Sequence, residues 1–575
     1  MNFSFSKSEI KAKLILEECG LNDPTELPMS DIIMGRGAFY EESPLEGKEG
    51  EIVSAGSRSI ITVNSNITYP TKKRFVAAHE LGHHEMHRNI KPMFTDTEEE
   101  LMSWFKGGPQ EVEANEFASE FLTPSELFYK PSPKDPFRLS RFGKLLETPL
   151  GVAAGPHTQL AQNIVAAWLC GARYMELKTV QTIDNLNISK PCIDMQDEGY
   201  NCEWSQELKI RQSFDQYLDA WILIHVLKHL VHGDDFSEPG TIFNMSVGYD
   251  LEGIKKENVQ WFLNKMQDAA DEIRERREHL KIMYPKISEI NINPCISDNV
   301  TLSTMHGCPP EEIEKIGLYL LREKKLHTTI KLNPTLLEKE QLNQLIGASG
   351  FDINIPDSAF EHDLKFQEAV KIIHSLKNAA EIEGLHFGIK LTNTLECINN
   401  KEIFPEKEKM MYMSGLPLHP IAIGLAEKLQ NQFNGKLDIS FSGGLDAFNF
   451  SDVISCGLYP ATVCSDILKP GGYGRLNQYI ENLHTEFRQV NSTSLDEFII
   501  NKAGKGQEIS RAILNNLLKY TVKLNAEKKY TKTTIKSKSI KTAKNLPYPS
   551  IPSTAWNNAC RAWLMIWPFQ ASVSV

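Results

Sequence analysis

His79-Glu80-Leu81-Gly82-His83 sets two imidazoles four residues apart with a carboxylate beside the first, a spacing suited to metal-assisted hydrolysis. On a helix, positions 79, 80 and 83 share one face, because i and i+4 stack and i+1 lies about 100° round. The histidines can then hold one metal ion while Glu80 reaches a water on it. The ion acidifies that water, and Glu80 takes its proton and passes it to a leaving amine. A catalytic zinc usually has three protein ligands, so a third is required. The segment EVEANEFASEFLTP offers Glu111, Glu113 and Glu116. Ala114, Phe117, Ala118, Phe121 and Leu122 define its buried face. Glu111 lies at the edge of that face, one turn from Ala114, and Glu113 points away. Glu111 is the expected ligand, with Glu113 as the alternative, and Asn115 is spaced to orient a ligand. His84 and His87 read as surface or supporting groups.

A second set of chemical residues recurs where short β-rich runs stop. Eight strands are expected: Leu150–Ala154, Tyr174–Lys178, Thr241–Met245, Ile287–Ile292, Thr328–Leu332, His386–Thr392, Leu437–Phe441 and Ala461–Cys464. Gly155, Lys178-Thr179, Asn244, Asn291 with Asn293, Lys331 with Asn333, Asn393-Thr394, Ser442-Gly443-Gly444 and Ser465-Asp466 end them in turn. In a (β/α)8 barrel these ends converge on one mouth. Glycines after the seventh strand and a hydroxyl after the eighth suit a phosphate, since backbone N–H groups can approach an anion without a Cβ in the way. Lysines and asparagines deeper in the mouth suit a flavin ring. Ammonium groups stabilise charge on the reduced ring, and amides bond its polar edge.

The elements that must position these groups fall into three zones. Residues 1–125 form a small mixed α+β domain, 126–518 alternate strand and helix as a parallel barrel does, and 519–575 are a basic, Trp-containing tail. KPSPKDPF (Lys130–Phe137) reads as a linker or extended entry segment, and the long gap after the second strand must hold an insertion. His225, His229 and His232 fall at helical spacing and read as packing groups. The chain of 575 residues carries 62 basic and 74 acidic side chains, a net −12, which disfavours nucleic acid as a partner. No apolar run reaches the ~20 residues of a membrane span, and the start does not read as a signal peptide. Ten cysteines with no CxxC pair argue against a disulfide framework or an iron–sulfur cluster and point to a reducing cytoplasm.

The stretch from GEIVSAGSRSIITVNSNITYPTKKRFVAAHELGHHEMH through EVEANEFASEFLTP resembles the ImmA/IrrE-type metallopeptidases. The resemblance implies a zincin-like domain with His79, His83 and Glu111 as zinc ligands, Glu80 as catalytic base and a protein substrate. Leu122-Thr123-Pro124 departs slightly from the family's usual leucine-methionine-proline.

Residues about 125–515 resemble the flavin barrel of the selenate reductase-like (YgfK-type) proteins and, more distantly, dihydropyrimidine and dihydroorotate dehydrogenase barrels. The carrying segments include LETPLGVAAGPHTQLAQNIVAAWLCGARYMELKTVQT, TLSTMHGCPPEEIEKIGLYLLREKK and SFSGGLDAFNFSDVISCGL. The resemblance implies FMN. Ala154 and Gly155 would line its ring, with Lys178 and Thr179 at its edge. Asn201, Asn291 and Lys331 would contact ring or substrate beside Asn393 and Thr394, and Gly443, Gly444, Cys464 and Ser465 would hold the phosphate. The more distant relatives carry a cysteine or serine proton donor on the loop after strand four. Here Pro294 stands where it is expected, leaving Cys295, Ser303 and Cys308 as candidates. Long relatives continue into iron–sulfur and pyridine-nucleotide modules. This chain has no CxxC cluster and no GxGxxG after a strand, so electrons are expected from a separate partner or from the small-molecule substrate. The sequence reading is thus a zinc endopeptidase fused to an FMN-dependent oxidoreductase barrel. The alternative is a sensing barrel that regulates the peptidase without turnover of its own.

Overall fold

Alternating apolar residues and helical stripes sort into two units in a computed structural model of the chain. The structure describes residues 6–530 apart from 22–26, 57, 69, 98–107, 123–127, 181, 183–190, 196–197, 203–206, 233–238, 249, 282–283, 304–307, 352, 401–403, 470–471 and 527–529. The tail beyond Tyr530, with Trp556, Trp563 and Trp567, lies outside the described residues. One unit centres on Met1–Tyr129, the other on Lys130–Lys469 continued from Arg475.

The first unit is built on strands β1 (Ala38–Ser43), β2 (Gly50–Ala55), β3 (Arg58–Asn64) and β4 (Met93–Asp96), in the order β1-β3-β2-β4. Side chains alternate across a strand, so Ile61, Ile52 and Phe94 line up in register on the buried face. Helices cover that face, and Met29, Ile32 and Ile33 of the short helix Met29–Gly35 join the same core. Lys7–Glu18 is started by a reciprocal Ser6–Glu9 capping box. Pro70–Gly82 and Pro109–Leu122 bring Val76, Leu81, Phe117 and Phe121 into one core with Ile15 and Ile52. The helix carrying HELGH widens into a π turn over His83–His87.

The second unit opens with a hairpin, β5 (Leu139–Arg141) and β6 (Lys144–Leu146). Leu139 and Phe142 pack with Leu146, Tyr174 and Ile242 under the N-terminal ends of the barrel strands. Phe137, at the end of the proline-rich segment, is buried edge-on to Phe487. The following strands are β7 (Leu150–Val152), β8 (Tyr174–Glu176), β9 (Ile193–Met195), β10 (Gly199–Asn201), β11 (Ile242–Val247), β12 (Asn299–Ser303), β13 (His327–Leu332), β14 (Phe387–Leu391), β15 (Leu395–Ile398), β16 (Met410–Ser414), β17 (Ile439–Phe441) and β18 (Leu458–Val463). Eight of them close a parallel barrel in the order β7-β8-β11-β12-β13-β14-β17-β18.

Seven barrel strands fall where the alternation put them, and the fourth does not. Ile287–Ile292 is a short 3-10 turn (Pro285–Glu289) leading into a loop, and the strand is Asn299–Ser303. The spaced isoleucines Ile287, Ile290 and Ile292 are buried and imitate a half-buried strand. Asn-Val-Thr-Leu-Ser carries only two apolar residues, Val300 and Leu302, while Asn299 and Thr301 are buried by hydrogen-bonding to Asn244 inside the barrel, so the isoleucine-rich run before it is the stronger local signal.

The insertion after β8 supplies β9 and β10. They join the hairpin β15–β16, inserted after β14, in an antiparallel sheet of order β15-β16-β10-β9. The helix Ile509–Ala526 runs past the composition change near residue 519, and Tyr530 beyond it is buried. Among the described residues no helix is long and apolar enough to cross a membrane.

Candidate functional site

In the first unit, helical spacing brings His79 and His83 together, their Nε2 atoms 3.0 Å apart. Pro109–Leu122 crosses them and delivers Glu111, whose Oε2 lies 3.3 Å from His79 Nε2 and 3.2 Å from His83 Nε2. Asn115 Oδ1 is 2.9 Å from His79 Nδ1. An amide oxygen only accepts, so Nδ1 carries the proton and the Nε2 lone pair faces the cluster. Glu113 instead contacts His87 Nε2 at 2.9 Å, and His87 Nδ1 sits 2.9 Å from His83 Nδ1. His87 is therefore a buried support for His83. His84 is also buried, held by the Ser59 hydroxyl (2.8 Å) and the Arg36 carbonyl (3.1 Å), which rules out a surface role.

Asp96, the last residue of β4, completes the group. Its Oδ2 lies 3.4 Å from His79 Nε2, and one donor atom from each of His79, His83, Asp96 and Glu111 falls within 4.8 Å of the others. Sequence reading missed it. An acid at the end of a short strand downstream carries no helical spacing to tie it to HELGH.

The electrostatics call for a cation. Burial opposes a charge on His79, yet Asp96 and Glu111 prevail and push its pKa up to about 9. Burial and the neighbouring Asp96 and Glu111 raise Glu80 well above the carboxylate range. Against its own burial, Glu111 is held well below that range by His79 and His83. Both Glu80 oxygens are buried without a hydrogen-bond partner. Gly50 faces them, and a Cβ there would run into the Glu80 carboxylate. Two imidazoles whose Nε2 atoms converge on buried carboxylates fit a divalent ion that would replace the proton on His79.

In the second unit, the C-terminal strand ends surround a cavity of about 270 Å³. Ala154 and Gly155 line it after β7, Lys178 and Thr179 after β8, and Asn201 from β10. Ser303 ends β12 there, Lys331 projects from β13, and Asn393 and Thr394 follow β14. Gly443 and Gly444 after β17, and Cys464 and Ser465 after β18, complete the rim.

Asn291 and Cys295 are not part of this rim. Both precede β12, and residues entering a parallel strand lie at the end of the barrel opposite the mouth. Asn291 borders a separate hollow beside Arg274, Arg277 and Pro294. Cys295 N is hydrogen-bonded to Asn293 Oδ1 at 2.9 Å, and Asn293 O accepts from Trp221 Nε1 at 2.9 Å. Cys308 follows β12, half-buried, its thiol pushed up to about 11 by burial, and it does not line the cavity. Residues 304–307, between it and Ser303, lie outside the described residues. His225 is buried and bonded to the Trp221 carbonyl (2.8 Å), a packing role, while the side chain of His232 lies outside the described residues.

Below the rim, Glu176 Oε1 accepts from Lys390 Nζ and from Thr462 Oγ1 (3.1 Å), and Oε2 from Ala154 N (3.3 Å). A layer of Asn244, Asn299 and Thr301 also fills the barrel interior, with Asn244 Nδ2 to Asn299 Oδ1 at 2.8 Å. Asn244 is thus an internal packing amide. The period of two signals these inward groups: Glu176 stands two before Lys178, and Lys390 two before Thr392. Lys331 is paired in register with Lys390. Burial first, then Lys390, lowers the Lys331 pKa to about 8, partly offset by Glu176. Lys178, Lys331 and Lys390 outnumber Glu176 and the rim carboxylate Glu396, so the hollow favours an anion. The Thr392 hydroxyl, also lining it, is buried with no protein partner.

The glycine loop is held from behind. Gly444 has φ +57°, and a Cβ there would collide with the Gly415 carbonyl. His419 Nδ1 donates to Gly443 O (2.6 Å), leaving Nε2 to accept from the Tyr520 hydroxyl (2.8 Å). Asn449 Nδ2 donates to Gly444 O (2.9 Å), and Tyr530 stacks on His419 at 5.2 Å. Nothing in the spacing of these residues marks them, because the two tyrosines reach the loop from the C-terminal helix and beyond.

Comparison with known proteins accounts for both units. The model for the IrrE N-terminal-like domain (Peptidase_M78) matches residues 37–136. Solved structures of DHODH from Eimeria tenella, ligand-free and in complex with ferulenol, match at TM-scores of 0.41 and 0.40 and 14% identity. They cover 66% and 64% of this chain and 95% and 90% of theirs. Two curated YgfK proteins, from Escherichia coli (strain K12) and Escherichia coli O157:H7, are each 42% identical over 412 residues, which is 66% of this chain. The chain spans 39% of the length of these curated relatives. The model described as oxidoreductase YgfK, N-terminal TIM-barrel domain, matches residues 121–520. That match takes in well over half of the residues and the whole barrel mouth, and the chain belongs to this family.

Proposed function

We propose that the barrel is an FMN-dependent oxidoreductase and that the first unit is a zinc endopeptidase. The observation that carries the first half is the excess of lysine around a hollow closed by a glycine loop. Gly443, Gly444, Cys464 and Ser465 would hold the phosphate, and Ala154, Gly155, Lys178, Thr179, Asn201, Lys331, Asn393 and Thr394 the ring and its polar edges. Bound there, FMN supplies hydride exchange with a small, planar substrate. Lys331 and Lys178 stabilise negative charge in the mouth. Ser303, at the end of β12, is the side chain best placed to move a proton, and Cys308 is the second candidate on the same loop. Electrons come from a separate protein partner or from the substrate itself.

In the peptidase unit His79, His83 and Glu111 would hold zinc, which acidifies a water molecule. Glu80, beside His79 and with both oxygens buried and unpartnered, would as the carboxylate take the proton of that water and pass it to the departing amine of a protein substrate. The test is an absorbance spectrum and a metal assay on one purified sample. Flavin bands, or saturable uptake of added FMN, together with zinc that His79→Ala loses, are expected. A protein that neither carries nor takes up FMN refutes the barrel assignment. Equal zinc in wild type and His79→Ala, or none in either, refutes the peptidase assignment.

A further inference from the structure

We propose that Asp96 is a fourth protein ligand of the metal, so that the resting site is closed and water enters only when Asp96 withdraws. This rests on the zinc reading of His79, His83 and Glu111. Asp96 is 1% exposed, and neither of its carboxylate oxygens has a hydrogen-bond partner. Its backbone is fixed: it pairs with Gly50 across β2, and its carbonyl accepts from Glu49 N at 2.8 Å. A buried carboxylate left without hydrogen bonds is costly unless a cation meets it.

Four of the six donor–donor distances match those of a tetrahedral shell, and all four donors lie within 4.8 Å of one another. Zinc bonds to nitrogen and oxygen of ~2.0–2.1 Å place tetrahedral donors ~3.3 Å apart. His79 Nε2 lies 3.0 Å from His83 Nε2, 3.3 Å from Glu111 Oε2 and 3.4 Å from Asp96 Oδ2, and His83 to Glu111 is 3.2 Å.

The obvious alternative is that Asp96 merely orients His79 by accepting its N–H. The other ring nitrogen of His79 already serves that purpose through Asn115 at 2.9 Å. Asp96 faces Nε2, the atom the metal needs, and a nitrogen that binds a metal has no proton to donate. With the ion in place, the Asp96 oxygen that faces His79 Nε2 is placed to act as a ligand. Two nitrogens and two carboxylate oxygens fill a tetrahedral shell, leaving none of the open position that hydrolysis requires. When the carboxylate leaves, one water replaces it and the coordination number is kept. Glu80, on the same helix and with both oxygens unpartnered, remains to take that water's proton.

Cobalt(II) is the probe, added to the full-length protein. Wild type should show intense visible bands of a four-coordinate ion that azide does not change. Asp96→Asn should bind cobalt at least about tenfold more weakly, with bands that shift on adding azide. Wild-type bands that respond to azide, or an Asp96→Asn affinity equal to wild type, would overturn the proposal. The azide arm uses wild type alone, so it decides the matter even if the variant fails to fold. His79→Ala separates the two readings: if wild type binds cobalt no better than this variant, the zinc assignment falls and the Asp96 proposal with it.

Discussion

Replacing Lys331 by methionine should stabilise the ligand-free barrel while weakening its hold on FMN. Lys331 sits in register beside Lys390, and burial together with that like charge lowers its pKa from 10.5 to about 8. The unfolded chain therefore binds more protons than the folded one between those values, so this lysine's contribution to stability rises with pH. At pH 7 holding Lys331 charged costs about 3 kcal/mol, at pH 9 about 2, and above about pH 10.5 almost nothing. Methionine keeps the apolar stem and removes the desolvated cation. Lys331→Met should accordingly exceed wild type by up to about 3 kcal/mol at pH 7, with a gap about 1 kcal/mol smaller at pH 9. The assay is urea unfolding of flavin-free protein at both pH values, followed by fluorescence of the buried Trp168 and Trp221. FMN titration of the same variant should show affinity at least about tenfold below wild type, from loss of a charge-assisted contact. A variant less stable than wild type at pH 7, or a gap that does not narrow by pH 9, would refute the electrostatic reasoning.

Three other substitutions probe neighbouring parts of the argument. Gly444→Ala forces a side chain into φ +57° and against the Gly415 carbonyl, so FMN fluorescence titration should show affinity reduced more than about tenfold. Tyr520→Phe removes the hydroxyl that fixes His419 behind Gly443, and the dissociation constant for FMN should rise about fivefold, matching ~1 kcal/mol for one hydrogen bond. Glu147→Gln leaves Arg173 and Lys228 buried without the carboxylate they share, and the urea midpoint should fall by the equivalent of ~3–5 kcal/mol.

Much of the His79–His83–Glu111 cluster could be read locally. His79, Glu80 and His83 share a face because any α-helix makes them do so, and Glu111 stood out from Glu113 by its angle to Ala114 and Phe117. Asp96 was hidden because a sheet, not a helix, carries it to His79. At the barrel mouth, strand-end residues on six of the eight strands were legible from the β-rich runs and the residues that stop them, whereas Asn244 lies inside the longer β11 and packs below the rim. The fourth strand was misplaced because Asn299–Ser303 has only Val300 and Leu302 as apolar residues, its polar members being buried by hydrogen bonds inside the barrel, while three isoleucines on the preceding turn and loop look more strand-like. That single slip sent Asn291 and Cys295 to the wrong end of the barrel.

The sequence by itself determined the element types and the identity of the chemical groups, since helical and strand periods are properties of the backbone and repeat within a few residues. Only the tertiary structure decided which groups meet. Glu176 and Lys390 are 214 positions apart, and His419 and Tyr520 are 101 apart. Barrel closure and helix docking bring such pairs within hydrogen-bonding distance, and no local spacing encodes the closure of a sheet on itself.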